Sequence, residues 1–209
     1  MYKYNHGDTM IKLLIILTML STSAIAQNLT IDSFSKAKRH LKKIYSKTSL
    51  KKKSFYCDCN FDLKKKKVDH NSCGYKGSKY KKRSHRIEWE HVADAHHLVL
   101  ASKYRGMWVK GHPSCKGKRG RKCASKNIYV SRMLSDIRNL LPAVGSINAY
   151  RSDKQFTEIP GSSKIFGRCG ISFEGRKAMP PADKKGDVAR IYFYMQDTYK
   201  LNLISDKNM

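Results

Sequence analysis

Six cysteines, Cys57, Cys59, Cys73, Cys115, Cys123 and Cys169, stand behind an apolar leader, and these two features together limit what the chain can fold into. Met10-Ile11-Lys12 opens an apolar run from Leu13 to Leu20, followed by Ser21-Thr22-Ser23 and Ala24-Ile25-Ala26. A basic start, a short apolar middle and a small-x-small site mark residues 1–26 as a signal peptide. Cleavage is expected between Ala26 and Gln27, with Met10 as the true start. The run is too short to span a bilayer, so no membrane span is expected after cleavage. The destination is periplasmic or secreted, where an even number of thiols forms disulfides whose pairing the spacing alone leaves open. A zinc site built from Cys57, Cys59, Cys73 and His70 is the competing use. The Cys-x-Cys spacing is unusual for structural zinc, and the compartment is oxidising.

Residues 27–209 suit one domain with a moderate core. Asp32-Ser33 caps a predicted helix with Phe34, Ala37, Leu41 and Ile44 at helical spacing. Phe55 to Phe61 reads as a short cysteine-bearing strand and Val68 to Tyr75 as another extended piece. His96 to Lys126, with its glycines and Pro113, reads as a long basic loop pinned by Cys115 and Cys123. Asp187 is the expected cap of a last helix that packs through Val188, Ile191, Tyr192, Met195 and Tyr199.

The charge names a partner. Forty-three Lys and Arg against 16 Asp and Glu give a formal charge of +27, and removal of residues 1–26, with Lys3, Lys12 and Asp8, leaves +26. A field of this size suits a long polyanion, DNA first and RNA second. Tyr104, Trp108 and Tyr129 are candidates for stacking on bases.

The chemistry is concentrated in Arg86-Ile87-Glu88-Trp89-Glu90-His91-Val92. Ile87 and Trp89 alternate with Glu88 and Glu90, the period of a half-buried strand. A regular strand sends Glu90 and His91 to opposite faces, so the strand must end or bend there if both are to serve one reaction. Further on, Pro142 fits the first turn of a helix. A strand is therefore expected to end near Leu140, with a helix running through Asn148 and Arg151, which share a face. Strand with Glu90-His91, long segment, strand, helix with Asn148 is the layout of a ββα-metal (His-Me finger) nuclease site. The fold expected is thus α+β, a single disulfide-stapled domain with helices flanking that core.

The chain resembles the endonuclease I family of periplasmic and secreted nonspecific nucleases. The resemblance runs from about Phe55 to Leu203. It is carried in order by Phe55-Tyr56-Cys57-Asp58-Cys59, Ser72-Cys73-Gly74-Tyr75, Glu88-Trp89-Glu90-His91-Val92, Gly120-Arg121-Lys122-Cys123, Asn139-Leu140-Leu141-Pro142-Ala143-Val144-Gly145, Ile147-Asn148 with Arg151, and Ala189-Arg190-Ile191-Tyr192-Phe193-Tyr194-Met195. It implies a monomeric endonuclease with one Mg2+, replaceable by Mn2+ or Ca2+, held by Glu90 and Asn148. It further implies His91 as general base, Arg121 on the phosphate, and Asn139 and Arg151 as supporting or phosphate-binding residues.

Leu134 stands where the family usually carries a glutamate whose backbone carbonyl orients the histidine, a contact that survives a change of side chain. Asp94 replaces a common proline. The family usually continues past the position of Met209 through a tryptophan-containing segment, so residues 27–209 are expected to form a domain short at its C-terminus. Two rival readings, a non-catalytic cationic nucleic-acid binder and an inactive nuclease descendant, share the charge but differ in predicting no cleavage.

Overall fold

In the computed structural model the described residues are 28–47, 52–161 and 165–203, so the expected signal peptide, residues 1–26, lies outside them. Helix α1, Phe34–Lys47, starts where the sequence predicts, with Ser33 Oγ accepting from the Lys36 amide at 3.3 Å. Ala37 and Leu41 are buried against Ile31 and Leu140 beside Trp89. A two-stranded ribbon follows, β1 (Phe61–Asp62) antiparallel to β2 (Lys67–Val68). Then come the single turn α2 (Lys81–Ser84), strand β3 (Ile87–His91), and helices α3 (Ala95–Ala101), α4 (Arg105–Val109), α5 (Arg121–Ala124) and α6 (Ile128–Leu134). Strand β4 (Leu140–Val144) runs directly into α7 (Gly145–Arg151). Short strands β5 (Gln155–Phe156), β6 (Ser172–Glu174) and β7 (Lys177–Met179) precede α8 (Lys185–Tyr199). This mixed helix-and-sheet domain is cross-linked three times: Cys57–Cys169, Cys59–Cys73 and Cys115–Cys123. With every cysteine paired, the sulfur ligands of the zinc alternative are gone.

The antiparallel pair β3–β4 is the frame of the domain, with Ile87 opposite Val144 and His91 opposite Leu140. It joins three apolar clusters. Ala143 and Val144 belong to one built around the Cys57–Cys169 bridge with Tyr56, Ile147, Phe166 and Ile171. Leu140 belongs to the cluster under α1, and Ala93, just past β3, to one formed by Leu98, Val99, Val130, Met133 and Met195. β3 is therefore anchored by all three clusters, and the end that carries Glu90 and His91 is buried, as precise placement of a site requires.

Several boundaries differ from those expected. Pro142 lies inside β4 and not at a helix start. Its carbonyl accepts from Phe55 N at 2.7 Å, on the side away from Trp89, its partner in the register. Carbonyl and nitrogen of one strand residue point the same way, so the missing N–H falls where β3 asks for none. Residues 55–60 form a turn, not a strand, closed by Ser54, whose backbone pairs with Cys59 and Asp58 while Asp58 adopts φ 51°. The extended reading of Val68–Tyr75 fails after Val68: His70 O accepts from both Cys73 N and Tyr75 N, turning the chain. His96–Lys126 is not one continuous loop: α3, α4 and α5 interrupt it, α3 starting where Asp94 Oδ1 accepts from His97 N at 2.9 Å with Leu98 and Val99 drawn into the core, while Cys115–Cys123 pins the irregular remainder as expected. Helix α8 begins before Asp187, which pairs with Arg190 in the first turn and is not its cap.

Candidate active site

β3 delivers Glu88 and Glu90 to one face and ends on His91. Past it, Val92 N still donates to Asn139 O at 3.1 Å. The Asn139 side chain then clamps Ala93 from both sides, its Oδ1 accepting from Ala93 N and its Nδ2 donating to Ala93 O, each at 2.8 Å. The strand ends by this clamp, and the turn brings Glu90 and His91 to the same cavity. Asn139 is fully buried with both ends of its amide engaged, so its place is structural support. Asn139→Ala leaves two buried backbone groups without partners. A urea titration is expected to show a loss of about 2–4 kcal/mol, and a loss under about 0.5 kcal/mol would show that the clamp is dispensable.

The cavity, of about 1040 Å³, is lined by Glu88, Glu90, His91, Arg121 and Asn148, so four of the residues singled out in the sequence converge on one space. Lys38, Arg39 and Lys42 of α1, with Lys66 and Arg83, supply a cationic wall. Trp108 also lines it, whereas Tyr104 and Tyr129 stack on each other, with ring centroids 5.6 Å apart.

His91 is buried, stacked on Phe34, and its Nε2 lies 2.8 Å from Leu134 O. A carbonyl can only accept, so Nε2 carries the hydrogen and Nδ1 keeps the lone pair. The leucine at this position thus serves through its backbone. Burial pushes the imidazole down to about 4, opposed by the Leu134 carbonyl and assisted by the positive charge of Arg121.

Glu90, 2% exposed, accepts at Oε1 from Tyr56 Oη and from Arg151 Nη1, both at 3.2 Å. Among the described residues its Oε2 has no hydrogen-bond partner. Burial raises the carboxyl to about 7 against the downward pull of Arg151 and Tyr56. Arg151 lies beneath the cavity, fully buried, also donating to the carbonyls of His91 at 2.7 Å and Val92 at 2.6 Å. It is a prop for Glu90 and the end of β3. Full burial takes it out of reach of a substrate phosphate, which corrects that part of the expectation.

Two residues join the site that sequence reasoning did not assign. Tyr56 reaches Glu90 from a turn 34 residues upstream, and nothing in the local sequence announces that contact. Glu88 accepts from Asn148 Nδ2 at 3.0 Å and pairs with Arg83 and Arg86. Its signal was the two-residue spacing from Glu90. Since a carboxylate only accepts, Asn148 must present nitrogen to Glu88, and its Oδ1 is left without a protein partner among the described residues. Gly145 permits this arrangement: a Cβ there would lie 2.6 Å from Arg83 O and 2.7 Å from Glu88 Oε1.

An imidazole with a free lone pair, beside a carboxylate with one free oxygen, under a ring of cations, is suited to hydrolysing an anionic ester. The protein is accordingly a disulfide-linked α+β hydrolase of the nuclease class. The sequence model of the endonuclease I family matches residues 23–209, and the chain belongs to that family. It is 35% identical over 201 residues to an extracellular deoxyribonuclease of Aeromonas hydrophila, covering 93% of this chain and 81% of the relative. A periplasmic deoxyribonuclease of the same organism is 33% identical over 195 residues, with 90% and 75% covered. Endonuclease-1 of Buchnera aphidicola is 38% identical over 183 residues, with 85% and 67% covered. The protein is periplasmic or secreted, in line with the names of these relatives, and no helix among the described residues is long and apolar enough to cross a membrane.

Proposed function

We propose that the protein is a metal-dependent endonuclease that hydrolyses DNA with little sequence preference, takes RNA as a second substrate, and leaves 5′-phosphates. The observation that carries this reading is the fixed tautomer of His91, whose Nε2 is spent on Leu134 and whose Nδ1 is thereby the basic nitrogen. In this reading β3, β4 and α7 make up a ββα-metal core, residues 1–26 are the export signal, and residues 27–209 act as a monomeric catalytic domain.

The reaction follows from the site. At neutral pH His91 is uncharged, because burial holds it well below the ordinary imidazole range, so it accepts a proton from a water molecule. The resulting hydroxide attacks phosphorus in line with the 3′ oxygen. The bond from phosphorus to that oxygen breaks, the phosphate stays on the 5′ side, and solvent supplies the proton that completes the 3′ hydroxyl. Arg121, across the cavity, holds a non-bridging phosphate oxygen. Glu90 Oε2 and Asn148 Oδ1, two oxygens without partners among the described residues, would hold the metal, and hard oxygen donors favour Mg2+, with Mn2+ or Ca2+ as replacements. Such an ion supplies Lewis-acid stabilisation of the charge that develops on the phosphoryl and leaving oxygens. Arg151 and Tyr56 hold Glu90 on one oxygen so that the other stays turned to the cavity. Phosphate contacts from the lysine and arginine wall position a backbone without reading bases, which accounts for loose selection.

The test is digestion of plasmid by the oxidised chain Gln27–Met209 with magnesium, with EDTA, and with His91→Ala under magnesium. Nicking and linearisation are expected from the first alone, the variant falling by about 10²–10⁴ while its DNA retention in a gel stays unchanged. Cleavage surviving in the variant at the parent rate would remove His91 as base. Retardation without cutting, from a folded parent protein, would leave a cationic nucleic-acid binder in place of an enzyme.

A further inference from the structure

Beside the nuclease centre, on the other side of the α3 cap, lies a second group of metal-binding donors that the reaction does not use. Asp94, His96 and His97 each offer a ligand atom, and these atoms lie within 4.8 Å of one another. His97 Nδ1 donates to Asp94 Oδ2 at 2.6 Å, so a cation bound by both would release that proton to solvent, and His96 Nδ1 is 3.1 Å from Asp153 Oδ2. The scaffold is rigid. Asp94 is 4% exposed and held as the cap of α3 through its other oxygen, so Oδ2 has a fixed position. His96 and His97 leave the first turn of α3 together, their rings 5.2 Å apart, and both are only partly exposed. Asp94, His96 and Asp153 also line the nuclease cavity, so the group has solvent access from that side.

We infer that Asp94, His96 and His97, with Asp153 as an outer partner of His96, form a site for a zinc-type divalent cation, separate from the oxygen pair Glu90 and Asn148. The donor chemistry makes the choice. Two imidazoles and one carboxylate, with a position left to water, match the coordination that zinc, nickel or copper takes and that magnesium declines. Local charge sharpens it. Arg151 Nη2 stands 3.8 Å from Asp94 Oδ2 and Arg176 Nη2 donates to Asp153 at 2.9 Å, so much of the carboxylates' charge is already balanced. A hard cation held mainly by charge gains little there, whereas one held by bonds to imidazole nitrogen is less affected. Asp153 orients His96 from behind, as partners of ligating histidines do. The inference does not depend on the nuclease reading, since it concerns binding and can be tested without DNA.

Zinc is titrated calorimetrically into the oxidised chain Gln27–Met209 in excess magnesium, so that a site built of oxygen donors alone does not contribute to the zinc signal. The titration is repeated with His97→Ala, His96→Ala and, as a control away from the group, His112→Ala. One zinc equivalent is expected for the parent and the control, with affinity lower by roughly tenfold or more in each of the first two variants. X-ray absorption at the zinc edge is expected to show two imidazoles and no sulfur. Near-ultraviolet circular dichroism matching that of the parent identifies variants that remain folded. An absorption spectrum with one imidazole or none overturns the proposal, as does equal zinc affinity in the parent and a folded His97→Ala. So does an absence of zinc binding by the parent, even where its plasmid digestion is normal.

Discussion

Arg151→Met is expected to lower stability by roughly 3–5 kcal/mol in a urea titration and to abolish cleavage under the same conditions. The side chain is fully buried, stands over the Phe156 ring at 4.5 Å, and donates to Glu90 and to the carbonyls of His91 and Val92. Methionine fills much of the volume but takes this donor away from two buried carbonyls and leaves the buried Glu90 carboxylate with Tyr56 alone. The cost is the desolvation of those groups, and removing one partner of a buried pair is far more damaging than the net worth of the pair. Against a typical domain stability of about 5–15 kcal/mol, such a loss is a large fraction of the whole. Arg151→Lys separates charge from geometry: it keeps the cation but cannot span all three acceptors, so it should recover part of the stability and little of the activity. A methionine variant within about 1 kcal/mol of the parent would show that water or rearrangement replaces the guanidinium, and that Glu90 does not depend on it.

Loss of the Cys57–Cys169 bridge should be the next largest effect. Its cysteines are 112 residues apart in sequence, so it closes the longest loop of the three disulfides, and it lies inside the apolar cluster that contains Val144 and Ile147. Constraining so long a loop removes much of the freedom of the unfolded chain, and replacing both cysteines with alanine is expected to cost about 2–5 kcal/mol. The bridge also holds the turn that carries Tyr56 to Glu90, so cleavage should fall even at temperatures where the variant remains folded. Thermal unfolding followed beside plasmid nicking separates the two effects. A midpoint unchanged from that of the parent would assign the stability of this region to packing alone.

How far the sequence could be read depended on the range of the interaction. Glu90 and His91 were legible because the alternation around Trp89 is local, and Asn148 because it follows β4 on the same short helix as Arg151. The stretch from His96 to Lys126 reads as loop by its glycines and lysines, yet the Asp94 carboxylate at the head of α3 and the burial of Leu98 and Val99 make its start helical. Pro142 is compatible with a helix start or with a strand position that needs no N–H, and only Phe55, far back in the chain, decides between them. The disulfide pairing and the contact of Tyr56 with Glu90 are tertiary facts with no local trace. For Arg151 the spacing from Asn148 placed it on the right helix, but a lone arginine in a chain of +27 gives no sign that it points inward.

The wall contributed by α1 has a consequence for what a nuclease of this kind leaves behind. Lys38 and Lys42 stand about 6 Å apart along the helix, one turn of cations set to one side of the catalytic pair. A long strand reaches both the centre and that wall, releasing counterions at each phosphate it pairs. A strand cut down to a few nucleotides reaches only the centre and loses the rest of its hold. Digestion is therefore expected to slow as fragments shorten, at a size that shifts with salt, which a time course of fragment lengths at two salt concentrations checks.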